Sequence, residues 1–392
     1  MKNWKTTQLG DLAKITMGHS PASAHYNTKG VGLPLIQGNA DVDNFRRTYI
    51  RNWTSVVTNV CQKGDVVMSV RAPAGTISKA SFDSCLGRGV CSIKYANDYL
   101  YHYLIFKEQK WKGKSAGSTF DSVTGDEIKK FEIHHPEDIC EQQKIAAILS
   151  DIDALIETQE ALIAKKKNDK AATMELLLTG KKRLPGFNDE WENSSLWEMS
   201  DKKKEFFDDG DWIEAAFLAD SGVRLIQTGA IGIGSYKEQK NKKYISRENF
   251  ALLKCKKLIP GDILICRLAE PAGRACLFGD LGESDVITAV DVTIFRPTRN
   301  YNRSFLVYLM NRDEWFKDIL NLCGGSTRTR IARSELGQMV LKTPAIKEQH
   351  AISTVLSVID EELSLLQNEH DKLVSQKNAV MHKLLTGEIR LP

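Results

Sequence analysis

The stretch LLTGKKRLP at residues 177–185 returns as LLTGEIRLP at 384–392. Sliding the chain by 207 residues lays 141–185 over 348–392 without a gap, and 18 of the 45 positions are identical. Glu141/Glu348, Gln142/Gln349, Ile152/Ile359, Asp153/Asp360 and Lys165/Lys372 are among them. Upstream the likeness continues with a one-residue slip. GSTFDSVTGDEI (117–128) matches GSTRTRIARSEL (325–336), KGDVVMSVRAPAG (63–75) matches PGDILICRLAEPAG (260–273), and LPLIQGNA (33–40) matches VRLIQTGA (223–230). The chain therefore runs as a larger variable unit and a 45-residue unit, twice over. It must build two like structures, and whatever it does it does in duplicate.

The 45-residue units read as long helices. Apolar residues recur at alternating steps of four and three, the signature of a helix with one buried seam. In the first the seam holds Ile145, Leu149, Ile152, Ile156, Ile163 and Leu177. In the second it holds Ile352, Leu356, Ile359, Leu363, Leu366, Leu373, Val380 and Leu384. Polar residues interrupt both seams mid-way: Lys166 and Lys170 in the first, His370 and Lys377 in the second. Each unit stops at a glycine, Gly180 or Gly387, with proline following, which is how helices end. Neither seam is complete alone, so the two are expected to bury one another as an antiparallel coiled coil. A helix of that length spans roughly 60 Å, which would put the variable units at opposite ends of a rod with pseudo-two-fold symmetry. A DNA duplex has that symmetry too.

The variable units read as mixed α/β of the α+β kind, richer in strand than helix. GDVVMSV, GVCSIKY, GDILICRL and VDVTIFRP are short β-rich runs bounded by turn residues. Residues 99–112 and 304–321 carry helical periodicity, with Trp111 and Trp315 as core residues, and Gly/Ser/Thr loops follow at 113–119 and 323–329.

Bulk properties exclude several classes. No run of eighteen apolar residues would span a membrane, and the first fifteen residues lack the apolar core of a signal peptide. The eight cysteines form no CxxC pair, which fits reduced thiols in a cytoplasmic protein. Net charge is only +4, so any nucleic-acid binding must come from shaped clusters rather than bulk charge. Catalytic signatures are missing as well. KGKSAGST (112–119) lacks the leading glycine of a phosphate loop, Glu108 standing there. GAIGIGSY (229–236) has its glycines in the wrong order for a dinucleotide loop and reads as a turn. HHPED (134–138) reads as a loop entering the helix, not a metal site. HExxH and the amino-methyltransferase tetrapeptide are absent, and no nuclease carboxylate cluster stands out.

What remains is polar and basic. In the first variable unit the candidates for DNA contact are Gln37, Asn39, Arg46, Arg47 and Arg71. In the second they are Gln227, Tyr236, Lys237, Lys242, Lys243, Arg267, Arg274, Arg328, Arg330 and Arg333. Arginine pairs with guanine edges, Gln and Asn with adenine, and lysine with phosphate. Any one of them alone is an ordinary surface residue; grouped in loops that differ between similar units, they suit readers of sequence. RTRIAR (328–333) against FDSVTG (120–125) is the sharpest contrast.

Taken in order, these residues resemble the specificity subunit of type I restriction–modification enzymes over essentially the whole chain. The opening LGDLAKITMGHSPASAHYN…LPLIQGNAD is similar to the start of a target recognition domain. DDGDWI…GVRLIQTGAIGIGSY and PGDILICRLAEPAGRA look like a second subtype of the same domain. EQQKIAAILSDIDALI and EQHAISTVLSVIDEEL, each with its LLTG ending, resemble the two conserved spacer helices. The resemblance implies recognition domains at 1–140 and 186–347 and spacer helices at 141–185 and 348–392. It implies a non-catalytic chain in which each recognition domain reads half of a split DNA site and the helices set the gap. The partners implied are double-stranded DNA, methyltransferase subunits that bind S-adenosylmethionine, and restriction subunits that use ATP and magnesium; this chain itself would hold no cofactor or metal. The lysine run 165–167 would lie on the outer, partner-facing side. A free-standing enzyme with fused recognition domains would need a catalytic domain for which no residues remain. A coiled-coil adaptor that binds only proteins is the other alternative, separated from the first reading by sequence-dependent DNA binding. If the helices are the ruler, adding four residues to each lengthens the rod by about 6 Å, or nearly two base pairs at about 3.4 Å each. Methylation-site mapping should then show the gap between half-sites widening by that amount, and an unchanged gap would mean the helices do not set it.

Overall fold

The computed structural model describes residues 3–114, 122–324 and 329–391. It falls into two compact units. One takes in the chain up to Ala164 together with everything from Leu365 onward, and the other is Lys165–Ser364. Each unit thus holds one strand-rich domain and half of each long helix.

The first unit centres on an antiparallel sheet ordered Lys14–Met17, Val90–Lys94, Val66–Ser69, Ile77–Lys79. Val66–Ser69 is buried at all four positions because both of its faces are covered. A second sheet runs Tyr26–Asn27, Asn52–Thr54, Leu33–Ile36, Ser84–Leu86, Asn59–Cys61. Its one parallel pairing joins Leu33–Ile36 to Ser84–Leu86. The second unit repeats the scheme. Phe207–Asp209, Val292–Phe295, Ile263–Cys266 and Ala275–Leu277 form its antiparallel sheet. Leu218–Ala219, Lys243–Ile245, Val223–Ile226 and Val286–Thr288 form the other, again with one parallel pairing, Val223–Ile226 to Val286–Thr288. A two-stranded antiparallel ladder joins the start and end of each domain, Trp4–Gln8 with Glu132–Pro136 and Glu192–Ser195 with Val340–Thr343.

The helical runs seen in the sequence each break into two helices. These are Tyr99–Phe106 and Glu108–Lys114 in one unit, Arg303–Leu309 and Asp313–Leu322 in the other. At the second break Asn311 exchanges two hydrogen bonds with the backbone of Ala275, pinning the kink to a strand. Trp111 and Trp315 are buried as expected. They explain the repeated Pro-Ala-Gly, since a Cβ on Gly75 (φ +90°) would meet Trp111 Cβ at 2.3 Å. One on Gly273 (φ +85°) would come within 3.0 Å of Trp315 Nε1. The pair His134–His135 sits on a strand rather than in a loop, paired with Thr6 and Lys5. Burial lowers the pKa of both rings. The expected loops at 113–119 and 323–329 fall largely outside the described residues.

The long helices are Ile139–Leu178 and Ile346–Leu385. All fourteen seam residues are buried or half-buried. Ile145 and Leu149 join the first unit's core alongside Leu384; Leu177, Ile352 and Leu356 join the second's. Each such side chain taken fully out of water contributes roughly 2 kcal/mol. Within each unit the helix halves run antiparallel, and the polar seam residues meet carboxylates from the facing helix. In the first unit Lys377 pairs with Asp153 and His370 with Glu160 at 3.0 Å. In the second Lys170 pairs with Asp360 and Lys166 with Glu362 at 2.7 Å. Asp153 and Asp360 are equivalent positions of the repeat, as are Lys170 and Lys377. Of the lysine run, Lys165 and Lys167 are exposed, whereas Lys166 is half-buried and paired.

The repeated nine residues have a structural use. Gly180 (φ +70°) and Gly387 (φ +76°) end the helices in the left-handed region, and the chain then swings an arginine onto the start of the facing helix. Arg183 donates to both carboxylate oxygens of Glu348 at 2.6 Å. Arg390 does the same to Glu141 at 2.6 and 2.7 Å. Both carboxylates are buried, and each guanidinium also lies over an indole, Trp191 at 5.8 Å and Trp4 at 5.7 Å. Arg390 holds the Glu141 carboxyl below the usual glutamate range. A carboxyl with a lower pKa folded than unfolded binds fewer protons when folded, so its contribution is whole above the ordinary value of about 4.3 and fades as pH falls through it. Thermal unfolding of the wild type and of Glu141→Gln should therefore differ most at neutral pH, the wild type melting higher, and converge below about pH 4.

Candidate nucleic-acid interface

Three turns of the first unit meet at a cleft of about 280 Å³ lined by Ser20, Gln37, Gly38, Asn39, Arg71, Ala72, Arg88 and Gly89. Gln37 follows the strand Leu33–Ile36, Arg71 follows Val66–Ser69, and Arg88 sits between Ser84–Leu86 and Val90–Lys94. The turn carrying Arg88 is clamped. Gly87 N donates to Ile36 O at 2.7 Å, Arg88 N to Ser20 Oγ at 2.9 Å, and Val70 N to Gly89 O at 2.8 Å. Gly89 is needed for this approach, because a Cβ there would lie 2.1 Å from Gln37 O. Gln37 is oriented by its Nε2, which donates to Tyr26 Oη at 3.2 Å. Asn39 Nδ2 donates to Pro73 O at 2.8 Å, while its Oδ1 is enclosed without a partner. Arg71 and Arg88 are exposed, and among the described residues neither side chain makes a hydrogen bond or ion pair.

Three of the five candidates in this unit, Gln37, Asn39 and Arg71, therefore come together. Arg46 and Arg47 do not. Arg46 donates to Ile77 O and to the buried Glu108 at 2.7 Å, and Arg47 forms a two-pronged pair with Glu157 of the first long helix. Both guanidiniums have internal partners, and neither lines the cleft.

The second unit fills the same corner differently. Arg267 and Arg274, expected to reach DNA, are buried. Arg267 donates to Asp209 and to the carbonyls of Ile331 and Val290. Arg274 donates to the carbonyls of Ile231, Leu268, Pro271 and Thr228, at 2.6 to 2.9 Å. It ties together the two turns that in the first unit flank the open cleft, where only Asn39 makes such a bridge. Sequence could not separate a buried arginine from an exposed one inside CRLAEPAGR. Gln227 is exposed beside the turn Thr228–Ala230. Tyr236, Lys237 and Lys242 share a loop, held to that turn by Gln239, whose Nε2 donates to Gly229 O, and Lys243 opens the strand that follows. Within the loop Glu238 takes Tyr236 Oη, Lys242 and the buried Arg224. Burial and that carboxylate push the Tyr236 phenol up to about 12. Lys237 and Lys243 are exposed and make no side-chain pair. Arg330 pairs with Asp291 at 2.9 Å and Arg333 with Asp208; Arg328 lies outside the described residues.

A family model for the type I restriction modification DNA specificity domain matches residues 1–166 and again 188–374. The chain belongs to that family. It is a specificity subunit with two recognition domains, not a catalytic subunit. Among relatives, the type I restriction enzyme MjaVIII specificity subunit of Methanocaldococcus jannaschii is 23% identical, over all of this chain and 94% of that one. The MjaIX specificity subunit of the same organism is 30% identical over 43% of this chain and 41% of its own length. In fold the chain is similar to a crystal structure of the type I restriction-modification system S subunit from M. genitalium. There the TM-score is 0.62 at 14% identity, covering 97% and 96% of the two chains. Among the described residues no cluster of His, Cys, Asp or Glu could hold a metal ion, and no helix is long and apolar enough to cross a membrane.

Two residues beside the recognition corners escaped the sequence reading. Arg88 was passed over because a lone arginine between glycines carries no pattern. Trp212 is 71% exposed, and its isolation in DDGDWI could have flagged it. Arg274 supplies a concrete check on the corrected assignment. Arg274→Ala strips a donor from four carbonyls, and each buried group left unpaired costs about 1–3 kcal/mol. Calorimetry should show the second unit losing several degrees of melting temperature, and an unchanged melting temperature would return Arg274 to the surface.

Proposed function

We propose that the two recognition domains each read one half of a bipartite site on double-stranded DNA, with the paired long helices setting the gap. In this reading the helices also dock methyltransferase subunits, which carry S-adenosylmethionine and modify adenine, and restriction subunits that use ATP and magnesium join them. The chain itself holds no cofactor and works in the cytoplasm. The observation that carries the reading is duplication with divergence in the loops. Both domains keep the same antiparallel four-stranded sheet, terminal strand pair and arginine–glutamate latch, yet most polar side chains around the turns at Gln37 and Gln227 are exchanged. A protein whose repeated domains only bound identical partners would have no use for that difference. Divergent turn residues on a common scaffold are what two unlike half-sites require.

The test is to express the chain with its own methyltransferase subunit in a methylation-free host and sequence the modified adenines. A split motif is expected, with one half alone changing when residues 186–347 are replaced by another recognition domain. A stable complex that methylates nothing in a sequence-dependent way would favour the protein-only adaptor.

A further inference from the structure

Corresponding backbone contacts fix which residues of the two recognition corners are equivalent. Gly18 N donates to Val90 O as Gly210 N does to Val292 O, so Ser20 matches Trp212. The strands ending at Leu86 and Thr288 match through their parallel partners, so Arg88 matches Val290 and Gly89 matches Asp291. An isolated bridge joins Arg71 to Ser122 in one unit and Leu268 to Arg330 in the other. Of the polar residues here, Gln37 and Gln227 keep their identity. At the shared bridge a guanidinium is present in both units, but it is supplied from opposite sides. Its electrostatics differ too: Arg330 is met by Asp291, whereas Gly89 stands in that place in the first unit and among the described residues no acid faces Arg71 or Arg88. The first corner is therefore a cleft with two unpaired guanidiniums and an oriented glutamine, and in the second the described guanidiniums are paired, beside an exposed indole.

From this geometry we infer that the cleft at Gln37, Arg71 and Arg88 is the guanine-reading element of the first recognition domain, with Arg88 its principal specificity-determining residue. The inference rests on the DNA-reading role proposed above. A guanidinium offers two parallel N–H donors that match the O6 and N7 acceptors of guanine in the major groove, and no other base presents that pair. Fidelity needs the fork held still. The backbone of Arg88 is clamped through Gly87, Gly89 and Ser20, while its side chain has no competing partner to break first. An arginine serving only phosphate would need no such clamp. In the second domain Val290 stands in this place and Arg330 is paired with Asp291, so among the described residues no free guanidinium lies at the cleft.

The experiment uses the full chain assembled with its methyltransferase subunit. Duplexes carrying the mapped motif are prepared with each guanine replaced in turn by 7-deazaguanine, which removes N7. For the wild type, one guanine in the half-site assigned to the first domain should weaken binding by roughly 5- to 150-fold when replaced. Arg88→Ala should be indifferent to that replacement. Its methylation motif should also degenerate at that one position while the other half-site stays intact, the intact half reporting a folded complex. The inference is overturned if the first domain's half-site contains no guanine, or if no 7-deazaguanine position matters to the wild type, a result that does not depend on any variant folding. A uniform loss of affinity with an unchanged motif and a shallower salt dependence, the behaviour of a phosphate contact, would overturn it as well. Wild-type methylation without any sequence preference would instead sink the underlying reading of the two domains.

Discussion

A buried carboxylate at the first turn of each long helix, met by an arginine from the end of the other, organises this molecule. Glu141 and Glu348 lie inside their units, where an unpaired charge would be costly. Each must therefore have its guanidinium, and that arginine is delivered only if the facing helix has ended on its glycine at the right height. The tryptophan beneath each guanidinium comes from the opening strand region of the same unit. Helix register, helix ending and domain closure are in this way coupled through three side chains, twice. The polar seam residues extend the coupling: Asp153 with Lys377, and Asp360 with Lys170, accept only an antiparallel register in which equivalent positions of the repeat meet.

A frame specified so tightly leaves the turns above it free to vary. The sheets are pinned by buried strands such as Val66–Ser69 and Ile263–Cys266, and the Pro-Ala-Gly turns are pinned by Trp111 and Trp315. The chain between these fixed points can exchange Ser for Trp, or Arg for Leu, without disturbing what lies beneath. In the second unit one buried arginine, Arg274, ties down the turns that the first unit leaves ajar. The same scaffold thus carries an open corner with two exposed guanidiniums in one copy and a corner tied by a buried one in the other. For a specificity subunit this separates the stability of the domain from the identity of the sequence it reads.

The sequence by itself determined the duplication, the long helices with their seams, the glycine stops, and the strand-rich character of both domains. These are local or periodic properties: burial along a helix repeats with its pitch, and a left-handed stop needs a glycine wherever it occurs. The latch was visible only as an unexplained repetition, since the residues that meet in it, Glu141 and Arg390, are far apart in the chain. Tertiary structure alone decided the fate of the arginines. Arg46, Arg47, Arg267 and Arg274 are chemically the same as Arg71 and Arg88, and composition gives no reason to divide them. What divides them is whether a carboxylate or an empty carbonyl lies within reach once the sheets have formed, because a guanidinium with internal partners is a structural tie and one without them is free to bind something else.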